Sequence, residues 1–199
     1  MLQDSCLEVR ATVLLTLVIS KISAGGNSFY AAEHGLACDN VVSFQVVLAS
    51  GAIIDANSKT NPDLFKALKG SSNNFGIVTR FDMKTFPSEK LWGGFVTYDM
   101  STASQQIPAF IRFTDNLHKD PSASLIGIWS YDSQRDANFI GNALHYTKPV
   151  PYPPAHDDLY KLPNTSSSIR IDSLNSFVTE LEQEGDYRYD SLYCFWKPH

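Results

Sequence analysis

The stretch VVSFQVVLASGAIIDAN, Val41–Asn57, decides the fold class. Val42, Phe44, Val46 and Leu48 recur at period two, and Val41 and Val47 make the alternate face apolar too. This predicts a strand over Val41–Ala49 with both faces largely apolar. Ser50-Gly51 reads as a two-residue turn and Ala52–Ala56 as the returning strand of a hairpin. Next, Asn61 offers a side-chain oxygen as N-cap, Pro62 suits the first helical position, and Asp63 favours the positive end of the helix dipole. Leu64, Ala67 and Leu68 are the apolar stripe of this short helix, PDLFKALK. Gly70 ends it by adopting the left-handed conformation. After the polar run SSNN, Ile77, Thr79, Phe81 and Met83 alternate with Val78, Arg80, Asp82 and Lys84, predicting a strand with one face buried.

Beyond Pro87-Ser88, a boundary signal, the pattern continues less regularly. Leu91–Tyr98, Leu125–Tyr131 and Asn138–Thr147 read as strands. Ile107, Phe110, Ile111, Thr114 and Leu117 recur at helical spacing. The connector PVPYPP, Pro149–Pro154, precedes a last helix with Leu174, Phe177, Val178 and Leu181 on its apolar face, ending at Gly185. Hairpins mixed irregularly with helices indicate an α+β fold rather than a doubly wound sheet. At the other end, the apolar run Ala11–Ser20 is too short to span a bilayer. Asp4 and Glu8 before it make a poor signal-peptide n-region, and its β-branched content suits a buried strand equally well.

The chain has 199 residues, 43% of them hydrophobic, and a net charge of −5. Its Lys and Arg are scattered, so the concentrated basic patch that nucleic acid requires is absent. Three cysteines, Cys6, Cys38 and Cys194, show no metal-ligand spacing and read as small apolar residues. There is no P-loop, no HExxH, no GxSxG and no GxGxxG between a strand and a helix. The five histidines are widely spaced, and no base–nucleophile constellation emerges. Asn164-Thr165-Ser166 fits the N-glycosylation pattern. Lys69–Gly76 is the most informative segment left. Its small residues leave the backbone open to a ligand, and the element after it is a strand. Any contact must therefore come from main-chain groups at Gly76, Ile77 and Val78 rather than from a helix dipole. A plain polar loop entering a strand accounts for the same residues.

Two longer segments, GGNSFYAAEHGLACDNVVSFQVVLASGAIIDAN (residues 25–57) and NPDLFKALKGSSNNFGIVTRFDMKTFP (residues 61–87), carry a family resemblance. They resemble the flavin-binding half of FAD-linked oxidoreductases of the vanillyl-alcohol-oxidase (PCMH) type, in the fungal berberine-bridge-enzyme-like branch. LWGG, Leu91–Gly94, looks like the start of that family's substrate domain. The resemblance implies three regions: an atypical segment over residues 1–24, the second subdomain of the FAD-binding domain over 25–88, and part of an antiparallel-sheet-plus-helices substrate domain over 89–199.

It implies FAD as cofactor. Gly25, Gly26 and Ser28 would lie near the flavin diphosphate, Gly35, Asp39, Asn40 and Val41 would line the cofactor channel, and Gly76, Ile77 and Val78 would meet the adenosine portion. Two positions depart from the family pattern: Ser71 stands where another glycine is usual, and Glu33-His34 where an Arg-Tyr-like pair is usual. The family's first subdomain, with its covalently attached histidine, is expected before Gly25, and residues 1–24 show no match to it. The implied activity is that of an oxidase of small-molecule, secondary-metabolite biosynthesis. It would use dioxygen, with no nucleic-acid partner and no membrane span, and no residue here is assigned as catalytic base. The alternative is a truncated, catalytically silent remnant or non-enzymatic binding protein of the same fold, whose exposed half-cleft predicts self-association.

Overall fold

Two units divide the chain, Met1–Pro87 and Ser88–His199. The computed structural model describes residues 6–10, 25–71, 74–132 and 136–181. Ala11–Ser20, Gly185, Cys194 and His199 lie outside them.

In the first unit, β1 (Cys6–Arg10), β2 (Val41–Val47), β3 (Ile53–Asn57) and β4 (Ile77–Lys84) form one antiparallel sheet in the order β1-β4-β2-β3. The helices are α1 (Ala31–His34) and α2 (Pro62–Leu68). The hairpin expected from the sequence forms with a longer turn. Leu48 N–H donates to Ala52 O at 2.9 Å and Gly51 N–H to Leu48 O at 2.9 Å, so three residues make the loop. Gly51 at φ +82° occupies the left-handed position that such a three-residue turn needs.

Helix α2 ends as expected, with Gly70 at φ +88° just beyond it. Its start differs. Asn61 is itself left-handed and makes no side-chain cap; its Nδ2 donates instead to Asp55 O at 2.8 Å. This bond ties the helix entry to β3.

The sheet's buried face is set by two bulges. Val41, Phe44 and Val46 enter the core with Phe81, Leu68, Cys38 and Ala56, while Val42 does not. Val41 pairs with Met83 but Ser43 with Asp82, leaving Val42 as an extra residue in β2. Likewise Gln45 pairs with Arg80 but Val46 with Val78, leaving Thr79 extra in β4. Each bulge reverses the inward face beyond it. As a result Val78 packs on the core, and Ile77 is 70% exposed.

The second unit holds β5 (Leu91–Asp99), α3 (Ala103–Asn116), β6 (Ala123–Asp132), β7 (Ala137–Tyr146), α4 (Asp157–Tyr160), β8 (Ser166–Ser167), β9 (Arg170–Asp172) and α5 (Leu174–Glu180). The sheet order is β6-β7-β5-β8, with β9 also on β5, and every pairing is antiparallel. The fold is α+β. Helix α3 covers the face bearing Trp92, Val96, Tyr98, Leu125, Ile140 and Leu144.

Its buried side is Gln106 and Ala109, with Phe110 and Phe113 packed on the cluster. Ile107 and Ile111, expected in the apolar stripe, are 53% and 55% exposed. The stripe therefore lies about one residue from its expected line, and Gln106 occupies the core by hydrogen-bonding Asn142 across the sheet (Asn142 Nδ2 to Gln106 Oε1, 2.8 Å). In α5 only Phe177 is buried; Leu174 and Val178 face outward.

Arg170 fastens α5 to β9. Its Nε donates to Asp172 Oδ2 at 3.1 Å, Nη1 to Ser168 O at 3.0 Å and to Glu180 Oε2 at 2.8 Å, and Nη2 to Ser176 Oγ at 2.8 Å. The guanidinium also lies 4.6 Å over the Phe177 ring. A lysine keeps the charge but not the planar fork. Arg170→Lys is expected to lower stability by about 1–2 kcal/mol, read as a fall in thermal midpoint, because several charge-assisted bonds share one partly exposed group. An unchanged midpoint contradicts the clamp.

Candidate cofactor site

The residues singled out from the sequence form two groups in the first unit. In the first group, the Gly25-Gly26 backbone lies against the turn that follows α1. Ala37 N–H donates to Gly26 O at 2.8 Å and Cys38 N–H to Gly25 O at 2.9 Å. Ser28 initiates α1: its carbonyl accepts from Ala31 N–H at 3.0 Å and its Oγ from Tyr30 N–H at 3.2 Å. Asp39 Oδ2 accepts from Leu36 N–H at 2.9 Å. Asn40 Nδ2 donates to His34 O at 2.9 Å and to Leu36 O at 3.1 Å. Val41 is core.

The side chains of Ser28, Asp39, Asn40 and Val41 are thus used in building the turn. What this group can offer a ligand is main chain. Gly25, Gly26 and Gly35 all have left-handed φ, at +103°, +71° and +77°. The amide N–H groups of Gly25 and Gly26 donate to no acceptor among the described residues.

Lys69, the first residue of the Lys69–Gly76 segment but given no role from the sequence, stands beside this group. Its Nζ is 3.5 Å from Asp39 O and 4.5 Å above the Phe65 ring. Its place next to Gly70 was the available signal, since a Cβ on Gly70 would come within 4.0 Å of Gly25 N. Glu33, an anion in the same region, is directed to His34 (Oε2 to Nε2, 3.9 Å), and the His34 ring stacks on Phe86 at 4.0 Å.

The second group, Gly76, Ile77 and Val78, sits at the opposite end of β2. Ile77 pairs with Val47 whereas Met83 pairs with Val41. Six strand residues separate the two ends, about 20 Å at 3.3 Å each. Gly76 has φ +136°, and a Cβ there would lie 2.6 Å from Val47 O. The glycine lets the chain enter β4 against the β2 backbone.

Two of the five histidines, His145 and His156, are brought together in the second unit. His156 Nε2 lies 3.0 Å from His145 O, so the neutral ring carries its proton there, because a carbonyl only accepts. The His156 ring stacks between Trp92 (5.8 Å) and Phe113 (5.3 Å), and His145 meets Phe177 edge-on at 5.0 Å. Burial pushes His145 down to about 3, helped by His156 and Arg170, and His156 down to about 4 against the His145 carbonyl. Both rings are neutral packing elements. Tyr98 is also structural: its hydroxyl donates to Leu159 O at 3.1 Å, and burial pushes its pKa up to about 12. Among the described residues no helix is long and apolar enough to cross a membrane.

No protein-family model matches the chain. It is 47% identical over 161 residues to the FAD-dependent monooxygenase drtC of Aspergillus calidoustus, a match covering 81% of this chain and 31% of that protein. The FAD-dependent monooxygenase sdcF of Emericella nidulans is 43% identical over 170 residues, covering 84% of this chain and 35% of that protein. The chain thus spans about a third of the length of these curated relatives. Among solved structures, 6-hydroxy-D-nicotine oxidase from Arthrobacter nicotinovorans superposes with a TM-score of 0.69 at 22% identity, covering 84% of this chain and 38% of that one. Sequence kinship and fold agree: the chain is related to fungal FAD-dependent monooxygenases and shares the fold of vanillyl-alcohol-oxidase-type flavoproteins.

Proposed function

We propose that this chain supplies one wall of an FAD site and part of a substrate domain in an oxidoreductase acting on a small organic molecule of fungal secondary metabolism, with dioxygen as co-substrate. The observation that carries the reading is the left-handed main chain at Gly25-Gly26, Gly25 buried and Gly26 half-buried, with N–H groups lacking acceptors among the described residues and the Lys69 ammonium nearby. Such a cluster suits an anionic diphosphate, which accepts from several backbone donors at once. In this reading Gly25, Gly26 and the Ser28 turn hold the diphosphate, Gly35, Asp39, Asn40 and Val41 shape the channel through backbone, and Gly76, Ile77 and Val78 meet the adenosine. A ligand touching both groups must be elongated, as a dinucleotide is. Bound there, FAD supplies a hydride acceptor for a C–H bond beside oxygen or nitrogen.

On the second unit, the sheet face not covered by α3 carries Phe95, Ile126 and Ile128, with the Phe95 ring lying over Gly141. This apolar surface suits an organic substrate.

Titration of the chain with FAD tests the cofactor part. Saturable quenching of flavin fluorescence is expected, with markedly weaker quenching of riboflavin, which lacks the diphosphate. Equal quenching of both ligands contradicts the diphosphate assignment, and unchanged FAD fluorescence overturns the site.

A further inference from the structure

Asn164-Thr165-Ser166 is the chain's single Asn-x-Ser/Thr tripeptide with a residue other than proline in the middle. The structure gives it a definite setting. Asn164 follows Pro163 in the irregular segment between α4 and β8. It is exposed, and its side-chain amide makes no hydrogen bond among the described residues. The two residues after it are pinned to β5. Thr165 N–H donates to Thr97 O at 2.8 Å, and the Thr165 and Ser166 hydroxyls lie 2.9 Å and 2.6 Å from Thr97 Oγ1. Asn164 therefore projects from the end of β8, a two-residue strand at the sheet margin. A bulky hydrated substituent beside a sheet edge adds to the protection that a very short edge strand gives against unwanted strand pairing.

We propose that Asn164 is an N-glycan acceptor, modified when the chain is translocated across a membrane carrying a lipid-diphosphate-linked oligosaccharide. The bond formed joins Asn164 Nδ2 to the sugar anomeric carbon. The bond broken is that carbon's bond to the diphosphate oxygen, which leaves with the electron pair as the amide gives up one proton. The Ser166 hydroxyl, which defines the acceptor tripeptide, is engaged by Thr97 in the folded state. Transfer therefore precedes docking of β8 on β5 and competes with it.

Translation of the full chain behind a cleavable signal sequence, in the presence of microsomes, tests this. The protease-protected product is expected to contain a heavier form, one glycan larger, that endoglycosidase H removes. Asn164→Gln and Ser166→Ala abolish it, and Thr97→Val, which frees the Ser166 hydroxyl for longer, raises its share. A protected wild-type chain running as one unshifted species overturns the proposal, as does a shift that survives in Asn164→Gln. Transfer acts on the unfolded chain, so a folding defect in a variant does not obscure the result.

Discussion

Between pH 7 and pH 5 the second unit is expected to lose about 4 kcal/mol of stability, read as a fall in the urea midpoint. The cause is the buried pair His145 and His156, whose folded pKa values are depressed to about 3 and about 4 by burial. An unfolded histidine takes up its proton near pH 6.5, so below that pH the unfolded state binds protons that the folded state refuses. Stability therefore falls as pH drops from 6.5, by about 1.4 kcal/mol per pH unit for each ring, until the folded values are reached. The geometry relieves the charge only in part. His156 Nδ1 has no hydrogen-bond partner among the described residues, and its ring is held between two aromatic faces. Arg170 adds repulsion at His145, while Asp120 offsets part of the effect at His156. His156→Phe preserves the stacking and is expected to remove close to half of the pH-dependent loss. Superimposable urea curves at pH 7 and pH 5 would falsify this account.

The second large effect is expected at Gly76. An added Cβ would lie 2.6 Å from Val47 O and 2.8 Å from Val46 Cγ1, on a residue already at φ +136°. Backbone strain and overlap add, so Gly76→Ala is expected to cost about 3 kcal/mol. For a chain of this size that is roughly 6–12 °C in thermal midpoint. Gly51→Ala is the control. Gly51 is also left-handed at φ +82°, but nothing lies within 4 Å of its Cβ position. That variant carries conformational strain alone, about 1 kcal/mol. Equal effects at the two glycines would show that close approach of β4 to β2 is not what requires Gly76. The same substitution forces the Gly76–Val78 backbone away from β2, so FAD affinity should fall with stability at Gly76 and stay unchanged at Gly51.

Much of this was legible in the residues because it depends on local chemistry. The hairpin, the Gly70 helix stop, the strand entered at Gly76 and the α+β class follow from periodicity and from glycine's access to left-handed backbone. The likeness to flavin-binding chains was carried by contiguous stretches, so it too could be read in order along the sequence. The candidate site was legible only as positions. That Ser28, Asp39 and Asn40 turn their side chains back onto the GLACDN turn, leaving main chain as the available surface, needed coordinates.

Tertiary structure decided what no local window contains. Bulges at Val42 and Thr79 reverse which residues face the core, putting Ile77 outside and Val78 inside, because a single inserted residue shifts a period-two pattern by one. Gln106 entered the core of the second unit through a bond to Asn142, a partner 36 residues away, and turned Ile107 and Ile111 outward. The same non-local pairing made one buried unit of His145 and His156, which in sequence were two isolated histidines. By itself the sequence determined the longer strands and helices, their order and the likeness to flavin-binding chains, while β1, α1, α4, β8 and β9 emerged only in the structure. The register between strands, the inward face of each element and the two separate ends of the candidate cofactor site came from contacts between distant residues, whose energies depend on partners that local periodicity does not specify.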